Sequence, residues 1–110
     1  MAQDMKTVVQ ELLKENDAVV FDKDNCGECR KTEALMTELG IRFATINMSK
    51  DKEALAKVKN DGFREAPAVY TGDDQWSGHK MDKVNGLAES LGLSVESSSA
   101  DDEDDDTWDF

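Results

Sequence analysis

The sequence predicts an α/β fold in which a small mixed sheet is covered by helices on both faces. Its 110 residues suffice for one small domain. Short apolar stretches rich in β-branched and aromatic residues alternate with segments of helical periodicity. The chain's only cysteines, Cys26 and Cys29, stand between the first such strand and the helix that follows it. The expected order is α-β-α-β-α-β-β-α, with parallel strands around the dithiol helix and an antiparallel final pair.

The first half of the chain predicts two helices and two strands. Apolar side chains at helical spacing predict a helix over residues 3–15 that covers one face of the sheet. The run Ala-Val-Val-Phe-Asp at 18–22 predicts the first strand. A helix is expected over 30–39, with Gly40 ending it. Alternating apolar and polar residues predict a second strand over 41–47.

The second half predicts a helix, a hairpin and a last helix. Ser49 is expected to be the N-cap of a helix over 50–60. Residues 68–70 and 75–76 flank a turn and predict the hairpin. A final helix is expected over 82–91, ended by a glycine. The inward-facing side chains expected in these two helices are Leu55, Val58, Val84, Leu87 and Leu91.

The spacing of Cys26 and Cys29 predicts a redox-active dithiol in the first turn of a helix. Residues three apart share a helix face, close enough for a disulfide. Unpaired amide groups at the helix start favour a thiolate at Cys26, and a thiolate is the species that attacks disulfides. Cys29 would then resolve the mixed disulfide. The alternatives are half of a zinc site or two structural thiols; with one histidine and no other cysteine, soft ligands for a metal are lacking.

Charge divides the chain into a mildly acidic body and an acidic end. The net charge is −12, and residues 96–110 contain eight acids and no base. Residues 1–93 are therefore expected to form the folded domain and 94–110 a disordered tail.

The sequence contains no basic patch interleaved with aromatics, which would indicate nucleic-acid binding. No stretch suits a membrane span or a signal peptide. A close cysteine pair without an export signal favours a cytoplasmic location.

Three segments resemble the glutaredoxin-like NrdH redoxins: Cys26-Gly27-Glu28-Cys29 after a strand, Ala66-Pro67-Ala68-Val69, and Trp76-Ser77-Gly78-His79-Lys80-Met81-Asp82. The resemblance covers residues 18–91, and the added N-terminal helix is similar to that of ordinary glutaredoxins. The chain departs from the family at 79–81, where Phe-Arg-Pro is usual, and at the acidic Glu28.

The resemblance implies a thioredoxin fold in which a cis-Pro67 faces the dithiol. Sequence physics alone favours a trans bond, because X-Pro bonds in folded proteins are cis in only about 5% of cases. The resemblance further implies an electron donor to ribonucleotide reductase that binds no cofactor or metal. Its electrons would come from NADPH through thioredoxin reductase, and the protein is expected to be a monomer. The partner-facing surface would include Ala66, Pro67, Trp76, Ser77 and Gly78.

The acidic tail ends in two large aromatics. Asp104 to Phe110 resembles the end of the small subunit of class Ib ribonucleotide reductases, which attaches that subunit to the large one. This resemblance implies that Trp108, Asp109 and Phe110 dock on the large subunit. The acids would steer the tail to a basic groove and the rings would anchor it. A solubilising tail, or one that folds back on its own active site, remains an alternative.

Two other functions stay open: a glutathione-dependent glutaredoxin with a solubilising tail, and a non-catalytic decoy that binds the reductase. Three side chains also keep two interpretations each. Trp76 is a core aromatic or part of the active-site loop. His79 is a surface-loop side chain or a proton donor near the thiols. Asp22 is a solvated strand end or a carboxylate that takes the proton of Cys29.

Overall fold

The computed structural model describes residues 4–93. The predicted order of elements is confirmed, and the predicted acidic tail at 94–110 lies outside the described residues. The helices and strands are α1 Met5–Leu13, β1 Ala18–Asp22, α2 Gly27–Leu39, β2 Phe43–Asn47, α3 Lys52–Asn60, β3 Ala68–Tyr70, β4 Gln75–Ser77 and α4 Met81–Ser90.

The four strands form one mixed sheet in the order β2-β1-β3-β4. β1 runs parallel to β2, with Val20 opposite Thr45, because α2 crosses over between them. β1 and β3 are antiparallel, as are β3 and β4, whose register sets Val69 opposite Trp76. The predicted parallel and antiparallel pairs are therefore both confirmed.

The pleat of β1 divides the core into two clusters. Val19 and Phe21 face the α1 and α3 side, where they pack with Val9 and Val58. Ala18 and Val20 face the α2 and α4 side. Their cluster there also contains Met36, Ile41, Val69, Trp76, Val84 and Ala88. Burying one such large side chain stabilises the fold by about 1.5–3 kcal/mol.

The alternation of side chains along β1 also places Asp22 on the side of α2, since successive residues of a strand point to opposite faces.

Two expectations for α3 are wrong. Its N-cap is Asp51, whose Oδ1 accepts hydrogen bonds from the amides of Glu53 and Ala54 at 3.0 and 3.2 Å. Ser49 lies before the cap, and its hydroxyl accepts the amide of Asp24 instead. Leu55 is 37% exposed, because Ala54 and Val58, four residues apart, form the buried stripe.

The end of α4 also differs from the expectation. Leu91 is 39% exposed, so its predicted inward orientation is wrong. It is the C-cap residue, one position after the helical part, and Ala88 occupies the buried face near that end. Val84 is fully buried, as predicted. No helix among residues 4–93 has the length and apolar character needed to cross a bilayer.

Candidate active site: a dithiol at the start of a helix

The two cysteines lie at the junction of the β1–α2 loop and α2. Cys26 is the N-cap residue, with extended backbone, and Cys29 lies in the first turn. The two sulfurs form a disulfide, and the Cα atoms are 5.3 Å apart. Cys26 Sγ also accepts the backbone amide of Cys29 at 3.1 Å. The sulfur therefore takes the place that a serine or aspartate oxygen occupies in ordinary N-caps.

This cap gives Cys26 the electrostatic setting of a nucleophile. Amide groups of a first helical turn have no partner within the helix and carry partial positive charge. One of them already points at the sulfur, so a thiolate formed there on reduction is stabilised by a charge-assisted hydrogen bond. Cys26 is 7% exposed and Cys29 only 2% exposed. The more accessible residue of the pair is thus the one whose sulfur the helix start stabilises.

The loop before the dithiol is held by the ends of the two parallel strands. Met48 donates its amide to the Asp22 carbonyl at 2.7 Å. Asn47 Nδ2 donates to Asp24 Oδ1 at 3.0 Å, and the Asp24 amide donates to Ser49 Oγ at the same distance. Asn25 adopts a left-handed backbone with φ of 56°, which asparagine tolerates better than most residues. These contacts fix the direction from which the chain enters α2.

Sequence reasoning did not identify Asn47 and Asp24 as parts of this loop anchor. Asparagine, aspartate and serine bond locally to backbone, and two groups of them follow neighbouring parallel strands in the sequence. That clustering is the feature from which the anchor could have been predicted. The basic residues near the thiols, Lys23, Arg30 and Lys31, are exposed, and Lys31 Nζ lies 4.0 Å from Glu28 Oε2. Their effect on the sulfur is therefore weakened by solvent and salt.

A second part of the site comes from the loop before β3 and from the end of β4. The Ala66–Pro67 bond is cis, as the resemblance implied and contrary to the expectation from X-Pro frequencies. Pro67 directly precedes Ala68, which pairs with Phe21 near the end of β1 where the dithiol loop begins. Its carbonyl accepts the Gly78 amide at 2.7 Å. The structure thus joins Pro67 to Gly78, two of the residues expected at the partner-facing surface. Both are buried, Pro67 fully, so their contact with a partner stays a prediction.

Gly78 is required where it stands. Its φ is +84°, a backbone conformation that residues other than glycine rarely adopt. A Cβ at this position would also lie 3.0 Å from Glu65 Oε2. The Glu65 carboxylate therefore lies over the glycine, next to the residue that precedes the cis bond, and adds a negative charge to this side of the site.

Trp76 is a core aromatic in this structure. It is 4% exposed and belongs to the cluster under α2 and α4. Its Nε1 is buried and has no hydrogen-bond partner among residues 4–93. Ser77, half-buried, follows it and pairs with Ala68 across the hairpin. The core interpretation is therefore confirmed, and a direct contact of Trp76 with a partner stays a prediction.

His79 links the loop after β4 to the dithiol helix. Its Nδ1 lies 2.8 Å from the hydroxyl of Thr32, which is fully buried one turn after Cys29. The side chain is half-buried and lies in the loop after β4, and a role as proton donor near the thiols stays a prediction. Thr32 was not identified from the sequence, because its partner is 47 residues away and no local pattern connects them.

Two carboxyl groups lie beside the dithiol. Asp22, Glu33 and both cysteines line one cavity of about 410 Å³. Burial, a hydrogen bond with Asp22 and the charge of Asp22 raise the pKa of Glu33 from 4.5 to about 7. Asp22 is half-buried, so it is not the fully solvated strand end of one interpretation.

Other predicted site residues are placed as follows. Ala66 is half-buried and directly precedes Pro67. Trp108, Asp109 and Phe110 lie outside the described residues. Among residues 4–93, no three histidine, cysteine or acidic side chains are placed to share a metal ion.

Known proteins share this arrangement. The family model described as Glutaredoxin matches residues 18–76. The glutaredoxin-like protein NrdH of Escherichia coli (strain K12) is 34% identical over 68 residues, which make up 62% of this chain and 84% of that protein.

Solved structures agree with the sequence comparison. The glutaredoxin-like protein NrdH-redoxin from Escherichia coli, described as having a thioredoxin-like activity profile, aligns with a TM-score of 0.62 and 33% identity over 64% of this chain and 92% of its own. Buckwheat glutaredoxin, solved as a glutathione complex, aligns with a TM-score of 0.58 and 25% identity over 84% of this chain and 96% of its own.

Proposed function

The chain belongs to the glutaredoxin family, and within it to the glutaredoxin-like proteins of the NrdH type, and from this premise we propose that it donates electrons to a ribonucleotide reductase. Its fold is the thioredoxin fold, and its activity is that of a thiol–disulfide oxidoreductase with Cys26 and Cys29 as the redox pair. The observation that carries the redox part of the proposal is the Cys26 sulfur at the N-cap of α2, accepting the Cys29 amide. The similarity to the NrdH proteins supports the choice of target.

The proposed reaction has two exchanges. The Cys26 thiolate attacks a disulfide on the large reductase subunit, which forms a mixed disulfide and releases one target thiolate. The Cys29 thiolate then attacks Cys26 Sγ, so the Cys26–Cys29 bond forms and the second target thiolate leaves. The target gains two electrons, the dithiol loses two, and the departing thiolates take up protons.

The oxidised pair must then be reduced. We assign this step to a flavin-containing thioredoxin reductase that draws electrons from NADPH, with no cofactor bound to the redoxin itself. The thioredoxin-like activity profile described for the Escherichia coli relative supports this assignment. We place the cycle in the cytoplasm and treat the redoxin as a monomer, since each exchange needs only one dithiol.

Residues 94–110 are proposed to tether the redoxin to its target. Eight acids lie within residues 96–110, ahead of or among the final aromatics. Docking of Trp108, Asp109 and Phe110 on the large subunit would hold Cys26 near the target disulfide, at an effective concentration on the order of millimolar. A peptide of residues 96–110 tests this: binding to the large subunit supports the tether, and no binding at tens of micromolar refutes it.

Reductase turnover tests the main proposal. Purified ribonucleotide reductase would receive electrons only through the redoxin, supplied either with NADPH and thioredoxin reductase or with NADPH, glutathione and glutathione reductase. Turnover in the first system and little in the second is expected. The Cys26→Ser variant is the matched control and should support none. Failure of the intact dithiol to support turnover, while it still reduces a small disulfide, would refute the assignment.

A glutathione-dependent glutaredoxin remains the second candidate. The buckwheat relative is described in complex with glutathione, and the similarity to it extends over 84% of this chain. Faster turnover with glutathione than with thioredoxin reductase would favour it. The decoy alternative is the weaker one, because the dithiol is intact; reduction of any protein disulfide by the redoxin would exclude it.

A further inference from the structure

Asp22 and Glu33 come together from two elements that meet behind the dithiol. Asp22 is the last residue of β1, and the pleat turns it to the side of α2. Glu33 lies one turn after Cys29, at the i+4 position where helical side chains are neighbours. Both carboxyl groups and both cysteines line the same cavity. The pair is therefore adjacent to the sulfur that must lose a proton during the second exchange.

The surroundings of this pair favour one bound proton. Glu33 Oε2 is buried and meets no donor within residues 4–93. Its neighbour Asp22 offers only a carboxylate, and two ionised carboxylates have acceptors but no donor. A hydrogen bond between them exists only when one of them is protonated. The buried oxygen thus indicates a pair that holds one proton between two carboxyl groups in the oxidised protein.

No basic residue within residues 4–93 forms an ion pair with these two carboxyl groups. None of the ion pairs within residues 4–93 includes Asp22 or Glu33. His79 bonds to Thr32, the residue before Glu33. The other charged side chains around the cavity are exposed to solvent: Lys23, Asp24 and Arg30. The proton affinity of the pair is therefore set mainly by burial and by mutual repulsion.

We propose that Asp22 and Glu33 together accept the thiol proton of Cys29 during resolution and return it when the disulfide is reduced again. The fully ionised pair takes the proton and holds it between the two carboxyl groups. The Cys29 thiolate forms its bond to Cys26 Sγ, and the bond from Cys26 to the target sulfur breaks. In the reverse direction Cys29 leaves as a thiolate and recovers the proton. This step rests on disulfide exchange alone, whichever protein is the target.

The pair suits this task near neutral pH. A general base is most effective when its pKa is close to the working pH. Burial and Asp22 bring the pKa of Glu33 to about 7. A single solvated carboxylate would be too weak a base to take a proton from a buried thiol, since its pKa lies near 4. When two carboxylates repel each other, the pKa of one of them rises, and the pair becomes a stronger base than a single solvated carboxylate.

Stopped-flow reaction with 5,5′-dithiobis-(2-nitrobenzoate) separates the two exchanges. Attack by Cys26 releases one coloured thiolate and resolution by Cys29 releases the second. In Glu33→Gln, the second phase should lose its inflection near pH 7 and slow by about tenfold or more at neutral pH. The first phase should not change. Asp22→Asn should behave likewise, and Glu38→Gln, an exposed residue of the same helix, is the matched control.

Two results with the variants would overturn the proposal. One is a second phase whose pH profile is the same in Glu33→Gln as in the wild type. The other is an equal slowing of both phases, which would indicate a structural effect on the whole site. The wild-type protein offers a check without any variant: carbon-13 NMR of the Glu33 carboxyl should titrate near pH 7. A midpoint near the ordinary value of 4.5 would equally contradict it.

Discussion

Cys26 combines two roles in one sulfur atom. It caps α2 by accepting the Cys29 amide at 3.1 Å, and it is the more accessible member of the redox pair. The sequence was sufficient to predict this, since the Cys-x-x-Cys spacing and the strand before it are both local features. Helix geometry then determines which sulfur lies at the cap and which lies one turn deeper.

Replacement of Cys29 by serine should stop the reaction after its first exchange. Cys26 can still attack a target, but no second thiolate is present to resolve the bond. Incubation of Cys29→Ser with oxidised large reductase subunit should give a covalent complex on a non-reducing gel, dissolved by dithiothreitol. Normal multiple turnover by this variant would contradict the role of Cys29, and Cys26→Ser should form no complex.

Contacts distant in sequence were less predictable at this scale. The cis bond before Pro67 followed from family resemblance and not from the residues themselves, because cis is the minority state of X-Pro bonds. The contact between Thr32 and His79 had no local pattern at all. Asp22 was recognised as a candidate near the thiols, but its partner Glu33 was not, because pairing depends on how α2 lies on β1.

At the scale of elements, the ends of most helices and strands could be predicted, and the errors concern starts, caps and helix faces. The dithiol helix begins at Gly27 and not at residue 30, and β2 begins at Phe43 and not at residue 41. Ser49 and Asp51 are both good N-cap residues, and the choice between them depends on whether the Ser49 hydroxyl is used elsewhere. The structure shows that it bonds to the dithiol loop. Competition between a cap and a tertiary contact is invisible in a single sequence.

β3 is joined to the C-cap residue of α3 by a partly buried hydrogen bond. Tyr70 is 4% exposed, and its hydroxyl donates to Asp61 Oδ2 at 2.7 Å. Burial and this bond raise the pKa of Tyr70 well above its usual range. Tyr70→Phe should lower the free energy of unfolding by about 1–3 kcal/mol, as a lost hydrogen bond to a charged group does. Urea denaturation measures this, and an unchanged midpoint would contradict it.

The Asp22–Glu33 contact between β1 and α2 should make stability depend on pH. Burial and Asp22 raise the pKa of Glu33 in the folded protein from 4.5 to about 7. The folded protein therefore holds this proton more tightly than the unfolded chain does. The resulting contribution of Glu33 to the free energy of unfolding is complete below about pH 4.5 and is lost as the pH rises through about 7. Melting temperatures between pH 5 and 8 should fall less in Glu33→Gln than in the wild type. Parallel curves for the two proteins would contradict this coupling.

At the scale of the whole molecule, the fold class and the two-sided core were predictable. Alternating periodicities fixed the order of elements, and the crossover helix fixed the parallel pair. The order of strands in the sheet was less accessible, since β3 inserts beside β1 through contacts far apart in sequence. The division into two clusters follows from the pleat of β1, whose apolar side chains point to both faces.

The charge distribution of the molecule suggests a further test of the tether. Of the net charge of −12, the eight acids within residues 96–110 supply the larger part. A variant that ends at Leu93 should show a KM for the large reductase subunit raised on the order of a hundredfold, because tethering adds effective concentration. Its reduction of a small disulfide should be unchanged.

A charge-matched control separates steering from anchoring. The Trp108→Ala, Phe110→Ala double variant keeps every acid and loses only the two rings. It should resemble the truncated form at high salt, where long-range steering is screened. If the truncated chain and the double variant both show the KM of the full chain, the acidic segment does not dock on the large subunit.

The order in which the two thiols of the reduced protein are alkylated tests the central claim most directly. The account makes Cys26 the nucleophile, since its sulfur lies at the helix start and the residue is the more exposed of the two. Limited treatment with iodoacetamide at pH 7, followed by peptide mass spectrometry of the singly modified protein, should place the label on Cys26 almost alone. Labelling first at Cys29, or equally at both sulfurs, would contradict the assignment on which the mechanism depends.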